Sequence, residues 1–196
     1  MTLWYLMRAF GFVSLLALSG SAALGALAVV GGDGPEGLDR RLLRQLVHRS
    51  TAVIGLVALL FHIICAVVDS YVDVSVWAAV LPFGSGFRPV AMAVGVVGLY
   101  ALVVAALSGA LRGRLAASPG AARGWRTVHG AAYAGWVLSV AHGLFSGSDT
   151  HTWWGTATYA ACGLVVVVAF LLRFLGEDIR RVRDPRGHLR LTGADR

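Results

Sequence analysis

Four histidines of this chain stand inside apolar runs, at spacings that suit a metal-centred cofactor. His48 and His62 are 14 residues apart, and His129 and His142 are 13 apart. An ionisable side chain deep in an apolar helix is a functional candidate by default. Fourteen helical residues rise about 21 Å, which places two levels within a hydrocarbon core of roughly 30 Å. If the two runs cross in the same direction, His48 shares a level with His129, and His62 with His142. Two imidazoles facing each other across a gap at one level suit the two axial positions of a planar haem. The pattern therefore points to two b-type haems stacked through a membrane, with His48 and His129 ligating the inner iron and His62 and His142 the outer. Zinc is less suited, because thiolate and carboxylate ligands are missing at those levels. The competing reading makes the histidines structural hydrogen-bond donors or a proton relay.

Helical geometry tests the pairing. At about 100° per residue, 14 steps fall about 40° short of four turns, so His48 and His62 share a face. Thirteen steps fall about 140° short, so His129 and His142 reach one partner only if their helix is tightened, bent or shifted. Gly130, Gly135 and Gly143 lie where such a bend or a close approach is needed.

The elements that must carry these residues follow from composition. Of 196 residues, 57% are hydrophobic and 14% charged, with a mean hydropathy of +0.72. A soluble domain is about 45–50% apolar and about 25% charged; a small water-soluble core cannot hide this excess, and a disordered chain would not contain it. The expected architecture is all-α, an integral membrane bundle of five spans at about 10–30, 51–68, 89–111, 125–145 and 153–175, with a basic tail over 176–196. Backbone hydrogen bonding in lipid leaves the helix as the sensible state for each run. Turn-forming segments separate the spans: Gly31-Gly32-Asp33-Gly34-Pro35, Pro82-Phe83-Gly84-Ser85-Gly86, Ser118-Pro119-Gly120 and Ser146-Gly147-Ser148-Asp149. No internal repeat or low-complexity linker stands out.

The net charge of +7 reads as topology rather than as a nucleic-acid surface. All 17 basic residues are arginines. Fifteen fall in the first and third connectors and in the end of the last span with the tail, and only Arg8 and Arg88 fall on the other side. The positive-inside rule then sets the N-terminus out and the C-terminus in. Trp4, Trp77, Trp125, Trp153 and Trp154 fall at expected interfaces, and Trp136 alone is mid-span. The four arginines that follow the first run favour a retained span over a cleaved secretory signal.

Other residues are candidates for secondary roles. Arg49 and Arg126 flank the inner pair and are placed either to meet haem propionates or only to anchor the helices at the interface. His151, Arg88 and Trp153 mark a candidate exit for electrons on the outer side, His151 alone reading as a solvated loop residue. Tyr133 and Trp136 lie between the two levels, where packing is the simpler role. Cys65 and Cys162 form no metal or disulfide motif and read as small packing residues. Arg180–Arg190 suit anionic lipid or the docking of a cytosolic reductase.

The two histidine pairs, together with Trp125-Arg126-Thr127-Val128-His129-Gly130-Ala131-Ala132-Tyr133, resemble the ferric reductase-like transmembrane domain. That superfamily includes ferric reductases, NADPH oxidases and the membrane haem subunit of the periplasmic methionine sulfoxide reductase system. Its two-haem members carry two histidines about 14 apart on one helix and two about 13 apart on a later parallel one. Leu81-Pro82-Phe83-Gly84-Ser85-Gly86-Phe87-Arg88-Pro89 and His142-Gly143-Leu144-Phe145-Ser146-Gly147-Ser148-Asp149 are also similar to small bacterial members, and the resemblance spans about residues 40–175. It implies a di-haem cytochrome in a bacterial plasma membrane, with His48 and His129 on the inner haem and His62 and His142 on the outer. The sequence departs from the six-span members by lacking their first span, and it has no flavin- or nicotinamide-binding unit. The expected function is transmembrane electron transfer as a component of a ferric reductase-like oxidoreductase. A separate flavin reductase or quinol would be the donor, and a metal ion, oxygen or a redox protein the outer acceptor. Two rival readings stay open: a quinol-linked cytochrome b anchor of a respiratory dehydrogenase, and a non-redox transporter or scaffold.

Overall fold

Apolar runs that cannot borrow hydrogen bonds from water must satisfy their backbone internally, and here they do so as helices. The computed structural model describes residues 2–28, 35–70 and 74–183, and every regular element in them is helical. In chain order these are α1 (Thr2–Leu27), α2 (Pro35–Val68), α3 (Val76–Val80), α4 (Pro89–Ala110), α5 (Arg112–Leu115), α6 (Pro119–His129), α7 (Ala131–Ser146) and α8 (Trp153–Arg183). The end of the first expected span at 29–30, the turn over 31–34, His188 and the tail beyond 183 lie outside the described residues, as do the side chains of 177–183.

Four helices are long and apolar enough to cross a membrane: α1, α2 over Gly37–Val68, α4, and α8 over Trp153–Gly176. The fourth expected span, 125–145, is instead divided at Gly130 into α6 and the 16-residue α7. Pro119 starts α6 one residue after Ser118, whose side chain caps the amide of Ala121. At the break, Gly130 N–H still donates to Arg126 O (2.9 Å), but the amide of Tyr133 closes back on Gly130 O (3.1 Å). Such an i→i+3 turn advances about 120° per residue instead of about 100°, which recovers part of the angular shortfall between His129 and His142. Two other helices outgrow their expected limits. α2 begins 16 residues before position 51, and α8 continues to Arg183; both extensions carry arginines.

The packing is inside-out relative to a soluble protein. Side chains buried in α1 are small: Ser14, Ser19, Ser21, Ala23 and Ala26. Large apolar groups such as Leu164, Val167, Leu171 and Phe174 of α8 face outward. Small residues let helices approach closely where no water-driven force pushes them together. A Cβ on Gly98 would lie 3.1 Å from Leu138, and one on Gly135 would lie 3.0 Å from Gly98 O, so α4 and α7 cross there.

The main contacts join α1 to α2, α4 to α7 and α1 to α8; smaller ones join α4 to α6 and α1 to α7. The bundle core is thus two helical hairpins, α1–α2 and α4–α6/α7. In the first, α2 carries His48 and His62; in the second, His129 ends α6 and His142 lies in α7.

Candidate functional site

Each of the four histidines is half-buried, and each is held by one local device. His62 packs its ring against Gly11 of α1, where a Cβ would lie 3.1 Å from Nδ1, and donates from Nδ1 to Met7 O at 2.8 Å. His48 packs against Gly25, 3.3 Å from where a Cβ would stand, and donates from Nδ1 to Ser21 O at 2.8 Å. In the second hairpin, His142 lies against Gly95 of α4, where a Cβ would come within 2.6 Å of the ring, and donates from Nδ1 to Ala91 O at 2.8 Å. His129 lies against Gly109, at 3.1 Å from such a Cβ, and donates from Nδ1 to Ala105 O at 3.0 Å.

The rule is the same four times. A glycine at position k on the neighbouring helix makes a slot for the ring, and the carbonyl of k−4 accepts its Nδ1 proton. The slots at Gly11 and Gly25 are 14 apart, as are those at Gly95 and Gly109. A carbonyl can only accept, so Nδ1 carries a proton, and in the neutral ring Nε2 keeps its lone pair. Fixing tautomer and ring orientation through the far nitrogen is how ligating histidines are commonly prepared for a metal. Among the described residues, Nε2 of His48, His62 and His129 makes no hydrogen bond; Ser146 Oγ lies 3.4 Å from Nε2 of His142.

The hairpins bring the histidines together in the expected pairs. The rings of His48 and His129 face each other with centroids 6.3 Å apart and planes at 75°. A metal between two imidazoles, at bonds of about 2.0–2.1 Å each, requires ring centres roughly 6 Å apart. His62 and His142 line one cavity of about 280 Å³, with Gly11 and Gly95 also in its wall. Most of that wall is apolar, from residues such as Phe12, Leu15, Ile63, Met92 and Leu99. Among the described residues, no three His, Cys, Asp or Glu gather around one point; these donors come in twos. Paired imidazoles held through Nδ1 in glycine slots, with an apolar cavity at the His62–His142 pair, fit a haem between each pair, and those four residues would hold it.

Comparison with protein families, curated proteins and solved structures finds no match to this chain. The site is therefore read from its own geometry.

The secondary candidates divide. Arg49 and Arg126 are exposed. Arg112 is linked to the His48–His129 pair through an indole: its guanidinium lies 5.1 Å from the ring centre of Trp125, and that indole stacks on His129 at 5.1 Å. Arg173 of α8 interacts with Tyr133, whose hydroxyl lies 3.6 Å from the Cβ position of Gly25. Near the His62–His142 end of the bundle, His151 and Trp153 are exposed, with Trp153 at 83%. Arg88 adopts a left-handed backbone (φ 41°) before Pro89 and donates to Phe145 O at 2.5 Å, tying the start of α4 to the end of α7. Trp136 donates to Ser19 Oγ at 2.8 Å, joining α7 to α1 between the two levels. Cys65 and Cys162 are buried free thiols.

The sequence reading missed one polar device. Arg8 donates through Nε and Nη2 to the two carboxylate oxygens of Asp149, and both residues line the outer cavity. The Arg8 guanidinium also lies 4.0 Å from the Trp4 ring centre. The signal was present as one arginine on the arginine-poor side and one aspartate in the outer connector, 141 positions away. Nothing in the sequence pairs them.

Proposed function

We propose that this chain is a membrane di-haem b-type cytochrome that passes electrons between the two faces of a bilayer. The observation that carries the reading is the fourfold glycine–carbonyl–histidine device, which presents two pairs of imidazoles from opposite hairpins. Bound there, haem would supply one-electron chemistry at two levels of the membrane.

The chain's own residues would do the rest. His48 with His129, and His62 with His142, would ligate from the two hairpins, each held in the Nδ1–H tautomer by a backbone carbonyl. Gly11, Gly25, Gly95 and Gly109 keep side chains out of the ring slots. The mostly apolar wall of the outer cavity would limit water, which would strengthen charge interactions inside it. We read α6 and α7 together as a fifth crossing, bent at Gly130. The arginine distribution supports an N-terminus outside and a C-terminus inside. The electron donor would be a separate flavin reductase or a quinol, and the outer acceptor a metal ion, oxygen or a redox protein, as in ferric reductase-like systems.

Purified protein should show a b-type absorbance spectrum and two haems per chain in a pyridine haemochrome assay. No haem sinks the reading; one haem per chain sinks the two-site form of it.

A further inference from the structure

The two histidine pairs are built alike but not surrounded alike. One face of the His129 ring is covered by the indole of Trp125, with centroids 5.1 Å apart and planes only 15° apart. Trp125 is itself pinned, because its Nε1–H donates to Ser108 O at 2.9 Å. The same Ser108 places its hydroxyl 3.0 Å from His129 Nδ1 and donates it to Ala105 O at 2.8 Å. Arg112 completes the stack from the α5 side, 5.1 Å from the indole centre. Among the described residues, no aromatic ring stacks on His62 or His142 in this way.

We propose that Trp125, backed by Arg112, is a positioning residue that fixes the plane of the His129 imidazole and so sets the electronic character of the inner site apart from the outer. The inference rests on the di-haem reading above. An imidazole bound to a metal through Nε2 keeps one soft freedom, rotation about the metal–nitrogen bond. His129 is denied it, with a face against indole and an edge against Ala105 O and Ser108 Oγ. The plane so fixed lies at 75° to that of His48. Nearly perpendicular axial imidazoles give a low-spin ferric centre a strongly anisotropic paramagnetic signal, whereas near-parallel planes give a rhombic one. The arginine adds a positive charge over the indole, which would favour the reduced, less positive state of a haem held at the inner pair. Arg112 is exposed, so solvent screens most of that charge and its own contribution is small.

The test uses the purified full-length holoprotein, with low-temperature electron paramagnetic resonance and a potentiometric titration of both haems. Trp125→Leu should keep the outer signal and potential, turn the inner signal less anisotropic and lower the inner midpoint. Trp125→Phe, which restores a stacking ring without the indole N–H, should return the inner signal towards wild type. Arg112→Gln should lower the inner midpoint slightly and leave the signal shape alone. Two haems per chain in Trp125→Leu, with both signals and both potentials unmoved, overturns the proposal. If Trp125→Leu binds no inner haem, Trp125→Phe decides: a wild-type signal supports the proposal and an altered one overturns it. Wild-type protein without haem sinks the di-haem reading and this inference with it. An unmoved Trp125→Leu sinks this inference alone.

Discussion

The inner and outer histidine pairs obey one construction rule in two different settings. At the inner pair, each carbonyl bond is doubled by a hydroxyl. Ser21 Oγ lies 3.0 Å from His48 Nδ1, and Ser108 Oγ lies 3.0 Å from His129 Nδ1. A stacked indole and an exposed arginine complete that end. At the outer pair, the carbonyl bonds of His62 and His142 open on an apolar cavity, and the charge nearby is locked in the Arg8–Asp149 ion pair. The inner pair thus has a hydroxyl at 3.0 Å on each ring, whereas at the outer pair Ser146 Oγ stands off at 3.4 Å from His142 Nδ1, the slot at Gly95 is the tightest of the four, and among the described residues no hydroxyl backs His62. Equal construction does not require equal robustness.

That contrast can be broken at its strongest point first. His142→Ala should remove the outer haem and leave the inner, so the pyridine haemochrome count should fall from two per chain to one. Loss of both haems would mean that the pairs are not independent.

The next effect should come from the ion pair. Asp149 is 7% exposed and Arg8 21%. Removing one partner of a buried pair strands the other, a cost of about 3–5 kcal/mol in full burial and less for a partly exposed arginine. Asp149→Asn should therefore lower the midpoint of thermal unfolding in detergent and loosen the outer haem before the inner. Arg8→Gln combined with Asp149→Asn should be less damaging than either alone. Additive losses would show that the two side chains act separately.

The ring slots come third. Alanine at Gly95 would place its Cβ within 2.6 Å of the His142 ring, against 3.3 Å from the His48 ring for alanine at Gly25. Overpacking of this kind costs about 1–3 kcal/mol, on the order of a tenfold to hundredfold loss of haem affinity. Gly95→Ala should show that loss at the outer site, while Gly25→Ala should lose much less at the inner. Equal effects in a haem titration of the apoprotein would remove the distinction.

The smallest effect should follow Ser108→Ala or Ser21→Ala. Each deletes a second acceptor while the carbonyl remains, so inner-haem affinity should weaken by about 0.5–1.5 kcal/mol or less. A larger loss would mean that the hydroxyl, not the carbonyl, fixes the tautomer.

Much of this was legible in the sequence, for stated physical reasons. The histidine spacings encode height along a helix, which a sequence carries directly, so the inner and outer pairing could be read from 48, 62, 129 and 142. The 13-residue interval demanded a deformation, and Gly130 supplied a place for it. The same break ends α6, and this is why 125–145 is not one uninterrupted helix. The slots were not legible. The chain has 25 glycines, and nothing along it distinguishes Gly11 or Gly95 from Gly20 until two helices are laid together. Nor could charge position alone choose among arginines. Arg49 and Arg126 sit beside the histidines in sequence, whereas Arg112 reaches His129 through an indole. Arg8 and Asp149 meet only because α1 runs beside the turn after α7. The resemblance of the two hairpins was hidden likewise, because it lies in paired positions on separate helices rather than in repeated words.

The hairpin arrangement also bears on how such a protein is made. Within α1–α2, Gly11 and Gly25 already seat His62 and His48; within α4–α7, Gly95 and Gly109 already seat His142 and His129. Each half can dock its own imidazoles as soon as it is inserted, yet neither half owns a complete site. Helices that form independently and associate afterwards are the usual course of membrane assembly. Here the second stage would join two prepared halves, and whatever binds between them would act as the rivet. Biogenesis and cofactor loading would then be one event, with delivery timed to the meeting of the halves rather than to the completion of the chain.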